Sequence, residues 1–89
     1  MKSLDIFLTA LERVMGFKKG YFNPLICTID TKFPVIKKTQ LEVFCIDGSY
    51  KECISTETSS FNSSEVSKED IIDNMVIKTI ENILRFYGL

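Results

Sequence analysis

Residues 40–57 read QLEVFCIDGSYKECISTE. Two β-branched and aromatic runs, 40–47 and 48–57, meet at Asp47-Gly48, the strongest hairpin signal in the chain. The pattern predicts two antiparallel strands whose register stays open, because two-residue and three-residue loops set different residues opposite Val43. Upstream, LICTIDT (25–31) alternates Ile26, Thr28 and Asp30 against Leu25, Cys27 and Ile29, and reads as another strand. Between them, KFPVIKK (32–38) holds Pro34 and three lysines and reads as a loop or a guarded edge segment. Downstream, STETSSFNSSEVS (55–67) is dominated by Ser and Thr and reads as a flexible connection.

Helices are expected on both sides of these strands. Leu4, Phe7, Leu8, Leu11, Val14 and Met15 follow helical spacing after a capping Ser3, with Thr9, Glu12 and Arg13 on the other side. Gly16 sits where a left-handed C′ residue ends such a helix, and Lys18 and Lys19 complement its dipole. The next residues complete GFKKGYFNP (16–24), where Asn23-Pro24 marks a turn into an extended segment. The helix end explains this stretch fully, while the lysines and aromatics leave a contact surface open as a second reading. A last helix starts at Ser67, with Asp70 completing a capping box, and runs to Phe86 or Tyr87 before Gly88. The expected fold is α+β, in the order α-β-β-β-α. It consists of a small antiparallel three-stranded sheet with two helices packed on one face, and residues 1–89 form a single domain.

Composition narrows the function classes. Hydrophobic residues make up 45% of the 89, enough for a core, and the formal charge is −1. A pI near 5.4 argues against a dedicated nucleic-acid binder, which carries a basic face. No apolar run approaches the ~18 residues of a membrane span. Asp5, Glu12 and Arg13 interrupt the N-terminal apolar stretch, so it is not read as a secretory signal. Histidine is absent, and Cys27, Cys45 and Cys53 lie far apart, which removes zinc-ligand spacing and every mechanism needing an imidazole base. Free thiols buried as small apolar groups in a reducing, cytoplasmic setting are expected. The glycines at 16, 20, 48 and 88 form no phosphate loop. No enzyme activity, metal, cofactor or small-molecule substrate is expected.

The last helix carries the functional expectation. Its apolar residues cover an arc of roughly 200°, whereas a helix on one sheet needs little more than ~100°. Either the first helix packs beside it and covers the excess, or the excess is a protein interface, most simply a twofold homodimer. The interface residues expected are Ile72, Val76, Ile80, Ile83, Leu84 and Tyr87. The second expectation is nucleic-acid contact, to double-stranded RNA or to single strands, through Lys18, Lys19, Lys32, Lys37 and Lys38 converging with nearby aromatics.

The element order and length resemble the double-stranded-RNA-binding domain. LEVFCIDG (41–48) is similar to that family's second strand ending in Gly. SKEDIIDNMVIKTIENIL (67–84) sits where its second helix would start after Ser-Lys. The family's RNA-binding members grip phosphates with a lysine cluster at that helix start, where this chain has Glu69 and Asp70. Their histidine-containing loop is replaced by KFPVIKK. The resemblance therefore implies a degenerate copy that mediates protein contacts. A non-catalytic interaction module follows, an adaptor or inhibitor of a size that viruses and mobile elements encode.

Overall fold

The computed structural model describes residues 1–30, 36–62 and 64–89. Helix α1 spans Lys2–Met15, and strands β1, β2 and β3 span Phe22–Asp30, Ile36–Asp47 and Tyr50–Asn62. Helix α2 spans Lys68–Phe86. The strands form one antiparallel sheet in the order β1-β2-β3. The α+β class and the α-β-β-β-α order are therefore as expected.

Asp47 pairs directly with Tyr50, so the hairpin loop is the two-residue Gly48-Ser49. Gly48 has φ 62°, and among the described residues no non-glycine residue has positive φ, which is the pattern of a turn that needs glycine at its first central position. A β-bulge then sets Val43 opposite Ser55, while Phe44 remains opposite Cys53. The extra residue, Ile54, is buried, and so is Ser55 beside it. The bulge shifts the side-chain alternation of β3 by one residue. Beyond it, Ser55, Glu57, Ser59 and Phe61 turn toward the helices, while Thr56, Thr58 and Ser60 are exposed.

This corrects the reading of 55–67 as a flexible loop. Residues 55–62 continue β3, paired with β2 as far as Ile36↔Asn62. Short hydroxyl side chains suit a strand with one face toward water, so their abundance here marks a solvated sheet surface. Residues 64–67 make the turn into α2, with the Glu65 and Val66 N–H groups donating to the Asn62 carbonyl. β2 also begins earlier than expected. Lys37 and Lys38 pair on both sides and Ile36 pairs with Asn62 of β3, so they belong to the central strand instead of an edge, while residues 32–35 lie outside the described residues. β1 likewise starts at Phe22, so Asn23-Pro24 is strand and not turn.

Both helices cover the same sheet face. Leu4, Leu8 and Leu11 of α1 meet Met75, Val76 and Ile83 of α2 over a row formed by Leu41, Val43 and Cys45 of β2. Gly16 ends α1 in the left-handed region, as its spacing predicts. The N-terminus of α1 differs from expectation: Met1 is the cap residue, and no side chain caps the helix. The Ser67 hydroxyl caps α2 by accepting from the Asp70 N–H at 3.2 Å. Of the cysteines, Cys45 is buried, but Cys27 and Cys53 are exposed on the outer sheet face, contrary to the expectation of buried thiols.

Leu41 has no solvent exposure and sits at the centre of that row. Its replacement by Ala should cost about 2–5 kcal/mol. That is a large share of the roughly 5–15 kcal/mol available to a small domain, and urea denaturation would measure it.

Candidate protein-interaction surface

The α2 arc is mostly spent inside the chain. Val76 and Ile83 are buried at 4% and 0% exposure, so these two cannot serve the interface expected of them. Ile72, Ile80 and Tyr87 are half-buried and pack against the core, and Leu84 is half-buried too. The excess width has two internal users. α1 packs beside α2, and an aromatic cluster takes its C-terminal end. In that cluster Phe17 stacks on Tyr21 at 4.3 Å between ring centroids, and the rings of Phe17 and Phe22 lie 6.0 and 6.2 Å from that of Tyr87. Exposed apolar residues of α2 are instead Ile77, amid charged neighbours, and Phe86 at the helix end.

GFKKGYFNP is accounted for by the same cluster. The Tyr21 N–H donates to the Lys18 carbonyl across Gly20, whose φ is 80°. Lys18 forms an ion pair with Asp47 at 2.9 Å. The lysines do not converge. Lys18 and Lys19 lie at the Asp47 end of the sheet, whereas Lys37 pairs with Asp30 at 3.8 Å near the other end, beside Lys38. Asp47 and Lys37 are about 33 Å apart along β2 at the rise of an extended strand. Lys32 lies outside the described residues.

What the sequence reading missed is the place of β1 as a sheet edge that is only half closed. The Ile46 N–H donates to the Tyr21 carbonyl at 2.7 Å, which sets the phase of the β1–β2 ladder. With Phe22 opposite Cys45, the backbone groups of Asn23, Leu25, Cys27 and Ile29 point to β2. Those of Phe22, Pro24, Ile26, Thr28 and Asp30 point to the free edge. Two devices close the first half of this edge. Glu12, a buried carboxylate on α1, accepts the Phe22 N–H at 3.3 Å, and Pro24 has no N–H to offer. Among the described residues, nothing closes the second half, at Ile26, Thr28 and Asp30.

Side chains make that open half sticky. Leu25, Ile26 and Ile29 are 46%, 39% and 57% exposed, and Cys27 lies between them. Leu25, Cys27 and Ile29 share the outer sheet face, which neither helix covers. The β3 edge is polar by comparison, with Lys51, Glu52, Thr56, Thr58 and Ser60 exposed. The role of Glu12 also explains a misplaced helix face. α1 is rotated so that Glu12 meets β1, which leaves Val14, expected inside, 80% exposed. A cavity of about 400 Å³ separates α1 from β1 and is bordered by Arg13, Lys19, Phe22 and Pro24. Among the described residues, no three His, Cys, Asp or Glu side chains gather as metal ligands, and no helix is long and apolar enough to cross a membrane.

Two measurements check this geometry. Glu12→Ala leaves the Phe22 N–H without its partner and should cost about 1–3 kcal/mol, whereas Glu12→Gln keeps an acceptor and should cost less; paired urea titrations would show the difference. The Tyr87 phenol is held well above its ordinary value, by burial first and then by its hydrogen bond with the Cys45 thiol at 3.4 Å. Above about pH 10 the unfolded chain releases this proton while the folded chain keeps it, so stability falls as pH rises. Tyr87→Phe should flatten this decline in alkaline unfolding curves.

No family model matches the chain, and no curated protein and no solved structure is significantly similar to it.

Proposed function

We propose that this chain is a non-catalytic protein-interaction module, an adaptor or inhibitor, that binds through the open half of β1 and the adjoining outer sheet face. The observation that carries the reading is the contrast within one edge strand. Phe22 and Pro24 are closed by a carboxylate and by a proline, while Ile26, Thr28 and Asp30 present backbone donors and acceptors flanked by exposed Leu25 and Ile29. An extended segment added there gains main-chain hydrogen bonds from the edge and apolar contact from the outer face. An unprotected apolar edge carries a standing risk of aggregation, and a regular occupant removes it.

The start of α2 supports the same reading. In the resembling family that position grips phosphates. Here Ser67 caps the helix and Glu69 and Asp70 occupy its first turn, so negative charge faces the place where a nucleic-acid backbone would lie. Among the described residues, the separation of Lys18 and Lys19 from Lys37 and Lys38 at the two ends of the sheet favours this reading over nucleic-acid contact.

Cys27 provides a direct test. A maleimide photo-crosslinker placed on Cys27 in a Cys53→Ser background labels the open edge, because Cys45 is buried. The same probe on Cys53 in a Cys27→Ser background labels the same face at the other edge. In native cell extract, discrete protein adducts from position 27 but not from position 53 are expected. Equal or absent capture at the two positions would overturn the reading.

A further inference from the structure

We propose that the occupant of the β1 edge is a second copy of this chain, paired antiparallel about a twofold axis at Cys27, so that two sheets join into one six-stranded sheet. The proposal rests on the interaction reading above and names its partner.

The free backbone groups fit this pairing. The Ile26 N–H meets the Thr28 carbonyl of the partner subunit, and the Thr28 N–H meets the partner's Ile26 carbonyl. The Asp30 N–H reaches the carbonyl of the partner's Pro24, and because proline has no N–H to return, the Asp30 carbonyl at this outer end of the ladder is left to water. Every open donor of the edge is used, and the N–H already committed to Glu12 is not asked for again.

Side chains fit the same register. On the outer face Leu25 lies opposite Ile29 of the partner subunit, and Cys27 opposite the partner's Cys27. The exposed apolar residues of that strand face thereby cover one another. Twofolds through Ile26 or Thr28 would use the same edge but separate Leu25 from the partner's Ile29.

Asp30, whose side chain is 73% exposed, is drawn opposite the partner's Pro24. Pro24 borders the α1–β1 cavity together with the cations Arg13 and Lys19. The same lining carries the carboxylates Asp5 and Glu12, so the Asp30 end meets a site of mixed charge, and the twofold repeats the contact. The polar β3 edge offers no such self-match.

Sedimentation equilibrium tests this with a charge swap at exposed positions that leave the core untouched. The wild-type mass should rise from 10.2 kDa toward twice that value with concentration. Leu25→Lys with Ile29→Lys sets like charges opposite each other and should hold the chain at the monomer mass, with an unchanged circular dichroism spectrum. Leu25→Lys with Ile29→Glu sets opposite charges across the axis and should restore the dimer. Mild oxidation of the Cys53→Ser chain should trap a disulfide-linked dimer, since directly opposed, non-hydrogen-bonded residues lie about 4.5 Å apart. Failure of the charge swap to restore association, or a wild-type chain that remains monomeric throughout, overturns the proposal. In the monomeric case, continued capture of other proteins by the Cys27 probe would leave the interaction reading intact. No capture would remove both.

Discussion

The structure depends on one irregularity, the β-bulge that sets both Ile54 and Ser55 against Val43. Without it, strict alternation through β3 would carry Ile54 inward and Phe61 outward. With it, both are buried, at 8% and 6% exposure. The shifted half of β3 also turns Ser55 and Glu57 toward α2, where the Asn82 amide donates to the Ser55 hydroxyl at 3.2 Å and to the Glu57 carboxylate at 2.8 Å. A single extra residue thereby lets a thirteen-residue strand serve an apolar core at one end and a polar clasp to the helix beyond it.

A three-stranded sheet with both helices on one face has consequences that composition does not show. Its other face is open to water, and it has two edges. The β3 edge is blunted by charge and hydroxyl groups. The β1 edge is closed only where α1 can reach it, because Glu12 comes from one turn of one helix. Past Pro24 the strand continues beyond that reach, and as far as Ile29 its exposed side chains are Leu, Ile and Cys. Edge strands in natural proteins are normally protected along their length. Protection of one half therefore sets the other half apart as the natural place for a partner.

The wide apolar arc of α2 has a different meaning from the one its width suggests. Helical periodicity reports how much of a surface is apolar, not what covers it. Here α1 and the rings of Phe17, Phe22 and Tyr87 cover it from within the same chain. The half-buried phenol of Tyr87 meets the Cys45 thiol, so even the polar tip of the helix end is satisfied internally. The surface left for contact lies across the sheet from this helix.

The sequence alone determined those features that depend on neighbouring residues. The Asp47-Gly48 turn, the left-handed Gly16, the Ser67 cap and the helical stripes are local events whose chemistry is complete within a few positions. The order of elements, and with it the α+β class, follows from them. Tertiary structure alone decided the rest. The bulge has no glycine or proline to announce it, because it answers to what Val43 and Phe61 need from across the sheet. Glu12 reads as a surface carboxylate on a helical wheel, yet it is buried because a strand ten residues later brings it an N–H. The same placement turns Ile26, Thr28 and Asp30 from an ordinary alternating strand into an open edge, since whether a strand lies at an edge is settled only when its neighbours have taken their places.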